Sequence, residues 1–146
     1  MGDAEVKKIN RIDRIRSDAR EAFAGSDTVL AVYLFGSMLD AETDRRPRDI
    51  DLAFLLDEAQ YKNDPLEASS DAHLFAARLS GALEIKTDIV ILNGASLEMA
   101  YEIITRGRAV YVADEDRRTD YECNVKGLYF DFKPFQILMY FRFSLF

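Results

Sequence analysis

The chain has one cysteine, Cys123, and one histidine, His73, in 146 residues. A lone cysteine cannot close an internal disulfide, and a lone histidine cannot build a histidine-rich metal centre. With no disulfide framework to call for an oxidising compartment, a cytoplasmic location is the expectation. No apolar run approaches the roughly 18 residues of a membrane-spanning helix. The N-terminus, MGDAEVKKINRIDRIRSDAR, is too charged for a secretory leader. No membrane association is therefore expected. Basic residues are the minority: 19 Lys+Arg against 26 Asp+Glu give a formal net charge of −7. That balance lends no support to broad electrostatic binding of nucleic acid, and no direct nucleic-acid partner is expected.

What is present suits one folded unit. Hydrophobic residues make up 49% of the chain and charged residues 31%, an ordinary globular balance. Val6, Ile9, Ile12, Ile15, Ala19 and Phe23 recur at steps of three and four, which predicts an amphipathic helix over 4–24. TVLAVYLF (28–35) reads as a strand, and DIDLAFLL (49–56) as a central strand that is apolar on both faces after its start. Residues 57–64 read as a polar turn. A helix is expected over 66–83, with Leu74, Ala77 and Leu79 toward the core. IKTDIVIL (85–92) reads as a strand. Ser96 is a plausible N-cap and Gly107 a plausible stop for the next helix, and AVYV (109–112) is a short final strand. A polar stretch then leads into a helical segment over 115–146, which Pro134 should break or kink. The expectation is a single domain over 1–146 of the α/β (α+β) class, a small mixed sheet flanked by helices.

The informative stretch is FGSMLDAETDRRPRDIDLAFLL (35–56). Strand residues two apart share a face, so Asp49 and Asp51 project side by side and repel each other. A divalent metal removes that conflict. Hard oxygen ligands suit Mg²⁺ or Mn²⁺, commonly together with substrate phosphates. Asp88, in the middle of another apolar strand, is the natural third carboxylate if the two strands are neighbours in register. Gly36 lets the backbone approach a ligand closely, and the Ser37 hydroxyl with nearby N–H groups can donate to phosphate oxygens. Arg45, Arg46 and Arg48 precede the aspartates. Arg48 is the nucleotide-contact candidate among them, against the plainer reading of a solvated loop. Lys86 is either a phosphate contact or an ion partner of Asp88.

Gly-Ser, a spacer, then Asp-x-Asp, with IKTDIVIL and ASLEMAYEIITRGRAVYV downstream, resembles the minimal nucleotidyltransferases of the DNA polymerase β-like superfamily. The resemblance covers roughly residues 28–135. It implies the nucleotidyltransferase fold and transfer of a nucleoside monophosphate from a triphosphate, with pyrophosphate leaving. Asp49 and Asp51 would hold the metal ions. Asp88 would ligate a metal and help deprotonate the acceptor, and Gly36 and Ser37 would hold the β and γ phosphates. Small stand-alone members resemble antitoxins whose partner is an all-helical HEPN-domain ribonuclease toxin. The implied reaction is Mg²⁺-dependent transfer of AMP from ATP to a toxin tyrosine. The alternatives are an antitoxin that neutralises the HEPN toxin by binding alone, or a small-molecule adenylyltransferase. The apolar tail QILMYFRFSLF is read as core, as a toxin-binding surface, or as the seam of a homodimer.

Overall fold

The computed structural model describes residues 2–39 and 47–144, so Arg45 and Arg46 lie outside the described residues. The chain runs α1 (Asp3–Phe23), β1 (Val29–Phe35), a 3₁₀ turn (Gly36–Leu39), β2 (Asp49–Leu56), α2 (Glu58–Asn63) and α3 (Pro65–Leu83). It continues with β3 (Lys86–Ile91), a second 3₁₀ turn (Leu92–Gly94), α4 (Leu97–Arg106), β4 (Arg108–Val112) and α5 (Glu115–Ser144). The four strands form one mixed sheet in the order β3-β2-β1-β4. β1 is antiparallel to β2 and β4, and β2 is parallel to β3, with α3 inside the crossover.

Strand alternation divides the sheet into two apolar faces. Val32 and Leu34 of β1 and Leu52 and Phe54 of β2 point to α1 and α3, meeting Ile12, Ile15, Phe23, Ala72, Phe75 and Leu79. Phe23 is the hub of this layer: its ring lies 5.9 Å from Phe54, edge-on, and 5.1 Å from Phe75. Ala31, Tyr33, Ala53 and Leu55 point the other way, against Ala100, Ile103 and Ile104 of α4 and Val125 of α5. The small alanines at the centre of this second face leave room for α4 to lie close. β2 is buried on both faces, as its continuous apolar run predicts.

α5 is anchored to the second face by a polar bolt. The Tyr33 hydroxyl donates to Glu122 Oε1 at 2.7 Å, and Arg118 faces the same carboxylate at 3.9 Å. Burial first, and the Glu122 carboxylate second, push the Tyr33 phenol far above its ordinary pKa, so it keeps the proton it donates to Glu122.

Several local expectations change. The polar stretch after β2 is a helix, α2, capped by Asp57, whose side chain accepts from the Gln60 N–H at 3.0 Å. α3 buries Ala68, Ala72, Phe75, Ala76 and Leu79, while Leu74 and Ala77 are exposed. Three alanines share this buried face with Phe75 and Leu79 and let the helix lie close to the sheet. α5 stays helical through Pro134. That part of the helix is exposed, so water can take up the carbonyl that proline leaves without a helical donor. Val6, expected on the α1 stripe, is exposed, and the Ile9 side chain lies outside the described residues. Among the described residues, no helix is long and apolar enough to cross a membrane.

Candidate active site

Three strand ends meet at one end of the sheet: the last residue of β1 and the first residues of β2 and β3. Phe35 is paired with Asp51, and Asp51 with Asp88, so one row of the sheet reads Phe35, Asp51, Asp88. Asp49 lies opposite Lys86. By alternation, Asp49 and Asp51 share the face of Ala53 and Leu55, and Asp88 shares that of Val90, the face covered by α4 and α5. The three carboxylates predicted to be neighbours therefore lie on one side of adjacent strands.

Their electrostatics follow from that placement. The Asp51 carboxyl is held above the usual carboxylate range, first by burial, then by the negative charge of Asp88, then by that of Asp49. Lys86 pulls the other way. Lys86 Nζ sits 3.6 Å from Asp88 Oδ1, with both side chains largely in solvent, so it is an ion partner of the third carboxylate. Among the described residues, no three acidic, histidine or cysteine side chains converge closely enough to enclose an ion as placed. The chemistry of the acidic row still suits a hard divalent cation: every donor is a carboxylate oxygen, and the central one is destabilised by its own neighbours.

Gly36 is fixed by contact with this row. Its φ is +79°, a left-handed conformation that disfavours any side chain. A Cβ there would also run into the Asp51 carboxylate, with Cγ at 3.2 Å. The glycine thus allows the chain leaving β1 to pass directly over Asp51. Ser37 follows it on the exposed turn, and Met38 turns back into the core. Arg48 is exposed immediately before β2, at the rim next to Asp49.

A neighbouring feature was not foreseen. A cleft of about 290 Å³ opens beside Gly36, lined also by Phe35, Leu39, Glu102, Ile103 and Arg106. Gly107 creates this neighbourhood. A Cβ on it would press on the Ile103 carbonyl and lie 3.1 Å from the carbonyl oxygen of Leu34, so glycine brings the end of α4 onto the end of β1. Sequence reasoning identified Gly107 only as a helix stop. Its φ of −76° is ordinary, and close approach is what requires it.

Comparison with known proteins identifies the family. The family model described as Polymerase beta, Nucleotidyltransferase matches residues 18–116, from α1 into α5. The chain belongs to this nucleotidyltransferase family. The match takes in Gly36, Ser37, Asp49, Asp51, Asp88 and the α4 side of the cleft. No curated protein matches the sequence.

Among solved structures, a toxin–antitoxin with AMP-PNP superimposes with a TM-score of 0.62 at 19% identity, over 88% of this chain and 98% of that one. A chain from an AMPylated Shewanella oneidensis HEPN toxin in complex with MNT antitoxin gives a TM-score of 0.60 at 18% identity, over 94% and 98%. The toxin–antitoxin MntA-HepT gives 0.58 at 17%, over 90% and 97%. At these identities the likeness establishes the nucleotidyltransferase fold that the family shares.

Proposed function

We propose that this nucleotidyltransferase is an antitoxin that transfers AMP from ATP to a tyrosine hydroxyl of a HEPN-type toxin. The single observation that carries the reading is the row of Asp51 and Asp88 on paired strands, with Gly36 passing over the Asp51 carboxylate. The toxin–antitoxin context of the superimposed structures supports the choice of partner.

On this reading Asp49, Asp51 and Asp88 would hold divalent metal, Mg²⁺ in the first instance. A bound divalent cation supplies charge neutralisation on the phosphates and on the attacking and leaving oxygens. The chain's own contribution is positioning. Gly36 and Ser37 hold the β and γ phosphates through backbone N–H groups and a hydroxyl, and Arg48 meets the nucleotide at the rim. The tyrosine oxygen attacks the α-phosphorus, its proton passes to the Asp88 carboxylate, and the bond to the α–β bridging oxygen breaks to release pyrophosphate.

The test is to incubate the protein with α-labelled ATP, Mg²⁺ and a HEPN protein. Label on a toxin tyrosine that disappears with Asp49→Ala and Asp51→Ala is the expected result. No label, with both variants neutralising the toxin as well as the parent, would reject catalysis.

A second reading, neutralisation by occlusion alone, has its own observation. The far part of α5 presents Phe130, Phe132, Phe135, Ile137 and Leu138 to solvent, an apolar surface of the kind that marks an interface. Deleting residues 135–146 would then abolish capture and protection together, whatever the state of the aspartates.

A further inference from the structure

A polyanionic triphosphate held at Gly36 and Ser37 needs positive charge on its outer phosphates as well as metal on its inner ones. The turn itself supplies none: Gly36–Leu39 contains no basic side chain. Lys86 stands beside Asp88 on β3, two strands away from the turn that follows β1, and Arg48 lies at the rim next to Asp49. Arg106, however, lines the same cleft as the turn. It shares the cleft lining with Gly36 and Phe35, and the pairing of Arg108 with Leu34 at the start of β4 fixes the end of α4 beside β1. Glu102, one helical turn earlier and also lining the cleft, binds the Arg106 guanidinium at 3.2 Å. The guanidinium is otherwise open to solvent, so it is tethered without being buried. A solvated i,i+4 pair contributes little to stability, and the same pair set at the edge of a cleft beside a phosphate-holding turn can do more.

On the nucleotidyltransferase reading above, we infer that Arg106 is a phosphate-binding residue, contacting the β/γ end of the nucleotide in the cleft it lines with Gly36, with Glu102 as the residue that positions it. A guanidinium offers two parallel donors to a phosphate, which a lysine ammonium cannot match. The cleft then has a defined role: it receives the pyrophosphate end of the substrate, with the backbone of the turn and Arg106 both in its lining.

The test is equilibrium binding of Mg²⁺·AMP-PNP and, separately, of AMP, which lacks the β and γ phosphates. Arg106→Ala should weaken Mg²⁺·AMP-PNP about tenfold, in line with loss of a charge-assisted contact, and leave AMP within about twofold. Arg106→Lys should fall between the two. Glu102→Gln should change AMP-PNP affinity and leave AMP alone, since it acts only through the arginine. A thermal melt of each variant shows whether the fold is retained. If Arg106→Ala binds AMP-PNP as the parent does, or loses AMP and AMP-PNP in equal measure, the assignment of Arg106 is wrong while the proposed function stands. If the parent protein binds neither Mg²⁺·AMP-PNP nor Mg²⁺·ATP, the proposed function fails and the assignment falls with it.

Discussion

Asp51 and Asp88 stand opposite each other in the parallel β2–β3 pair, on the same face, with the raised pKa of Asp51 due in part to its partner's charge. Because the carboxyl is raised on folding, the sign is determined. Its contribution favours the fold below its unfolded pKa and is lost as pH rises through the higher folded value, so at neutral pH the ionised Asp51 opposes folding. Asp51→Asn should therefore match or exceed the parent in thermal stability at pH 7 without divalent metal. The advantage should shrink as pH is lowered into the carboxylate range. Mg²⁺ should stabilise the parent and not the variant, and nucleotidyl transfer by the variant should fall by about 100-fold or more. Melting curves across pH, with and without Mg²⁺, check the first three statements. A variant that is less stable than the parent at every pH would show that the carboxylate is a structural ligand.

Gly36→Ala meets two obstacles, a left-handed backbone and the Asp51 carboxylate. The backbone term alone should cost about 1 kcal/mol, and the steric term adds to it. The two obstacles separate in a double-mutant cycle. In an Asp51→Ala background only the backbone term remains, so Gly36→Ala should cost less there than in the parent, by about 0.5 kcal/mol or more. Urea denaturation of the four proteins measures this. Equal costs in both backgrounds would mean that the turn does not lie against Asp51.

These two residues were legible in the sequence because local rules reach them. Alternation puts Asp49 and Asp51 on one face whatever the rest of the chain does, and two apolar strands separated by a helix pair in parallel. Legibility ends where contacts are tertiary. Arg106 comes to the cleft because β4 pairs with β1, Arg108 opposite Leu34, with no room for a side chain on Gly107 between them, and no spacing rule relates residues that far apart. α2 went unseen for the opposite reason: its six residues bury no side chain, so it has no apolar stripe, and its signal is the Asp57 cap alone. Leu74 was misread because α3 packs through alanines beside Phe75 and Leu79, where a hydrophobicity count favours the leucine.

The two halves of α5 differ in how they meet the body of the protein. Tyr129 stacks on Tyr101 at 3.7 Å between ring centroids, and Val125 is buried, so the first half of the helix belongs to the body. Beyond Pro134 the contact with α4 is thinner: Gln136 donates to Glu98 at 3.1 Å, while Phe135 is 61% and Leu138 68% exposed. Deleting residues 135–146 should shift the melting temperature by only about 3 °C, the scale of a sub-kcal change in a domain of this size. It should also reduce self-association at high concentration. Light scattering and a thermal melt test both statements. A collapse of the melting temperature would place the segment in the core.

Asp57 ties α2 to α5. Its carboxylate caps α2 through the Gln60 N–H and receives the Arg117 guanidinium, and these partners, Arg117 first, hold its pKa below the usual carboxylate range. For a carboxyl lowered on folding, the stabilisation is present above the unfolded value of about 3.9 and disappears as pH falls through the folded one. Arg117→Ala should cost about 0.5–1 kcal/mol at pH 7 and low salt. The deficit should diminish in high salt and vanish in acid, where the parent has lost the same pair. Asp57→Ala loses the cap as well and should cost about 1 kcal/mol more than Arg117→Ala. That difference persists in salt, because the bond to Gln60 is a short-range contact. Denaturation midpoints at two ionic strengths and two pH values distinguish the cap from the ion pair. If Asp57→Ala costs no more than Arg117→Ala, or the difference between them vanishes in high salt, the role of Asp57 is electrostatic alone and α2 is held by other contacts.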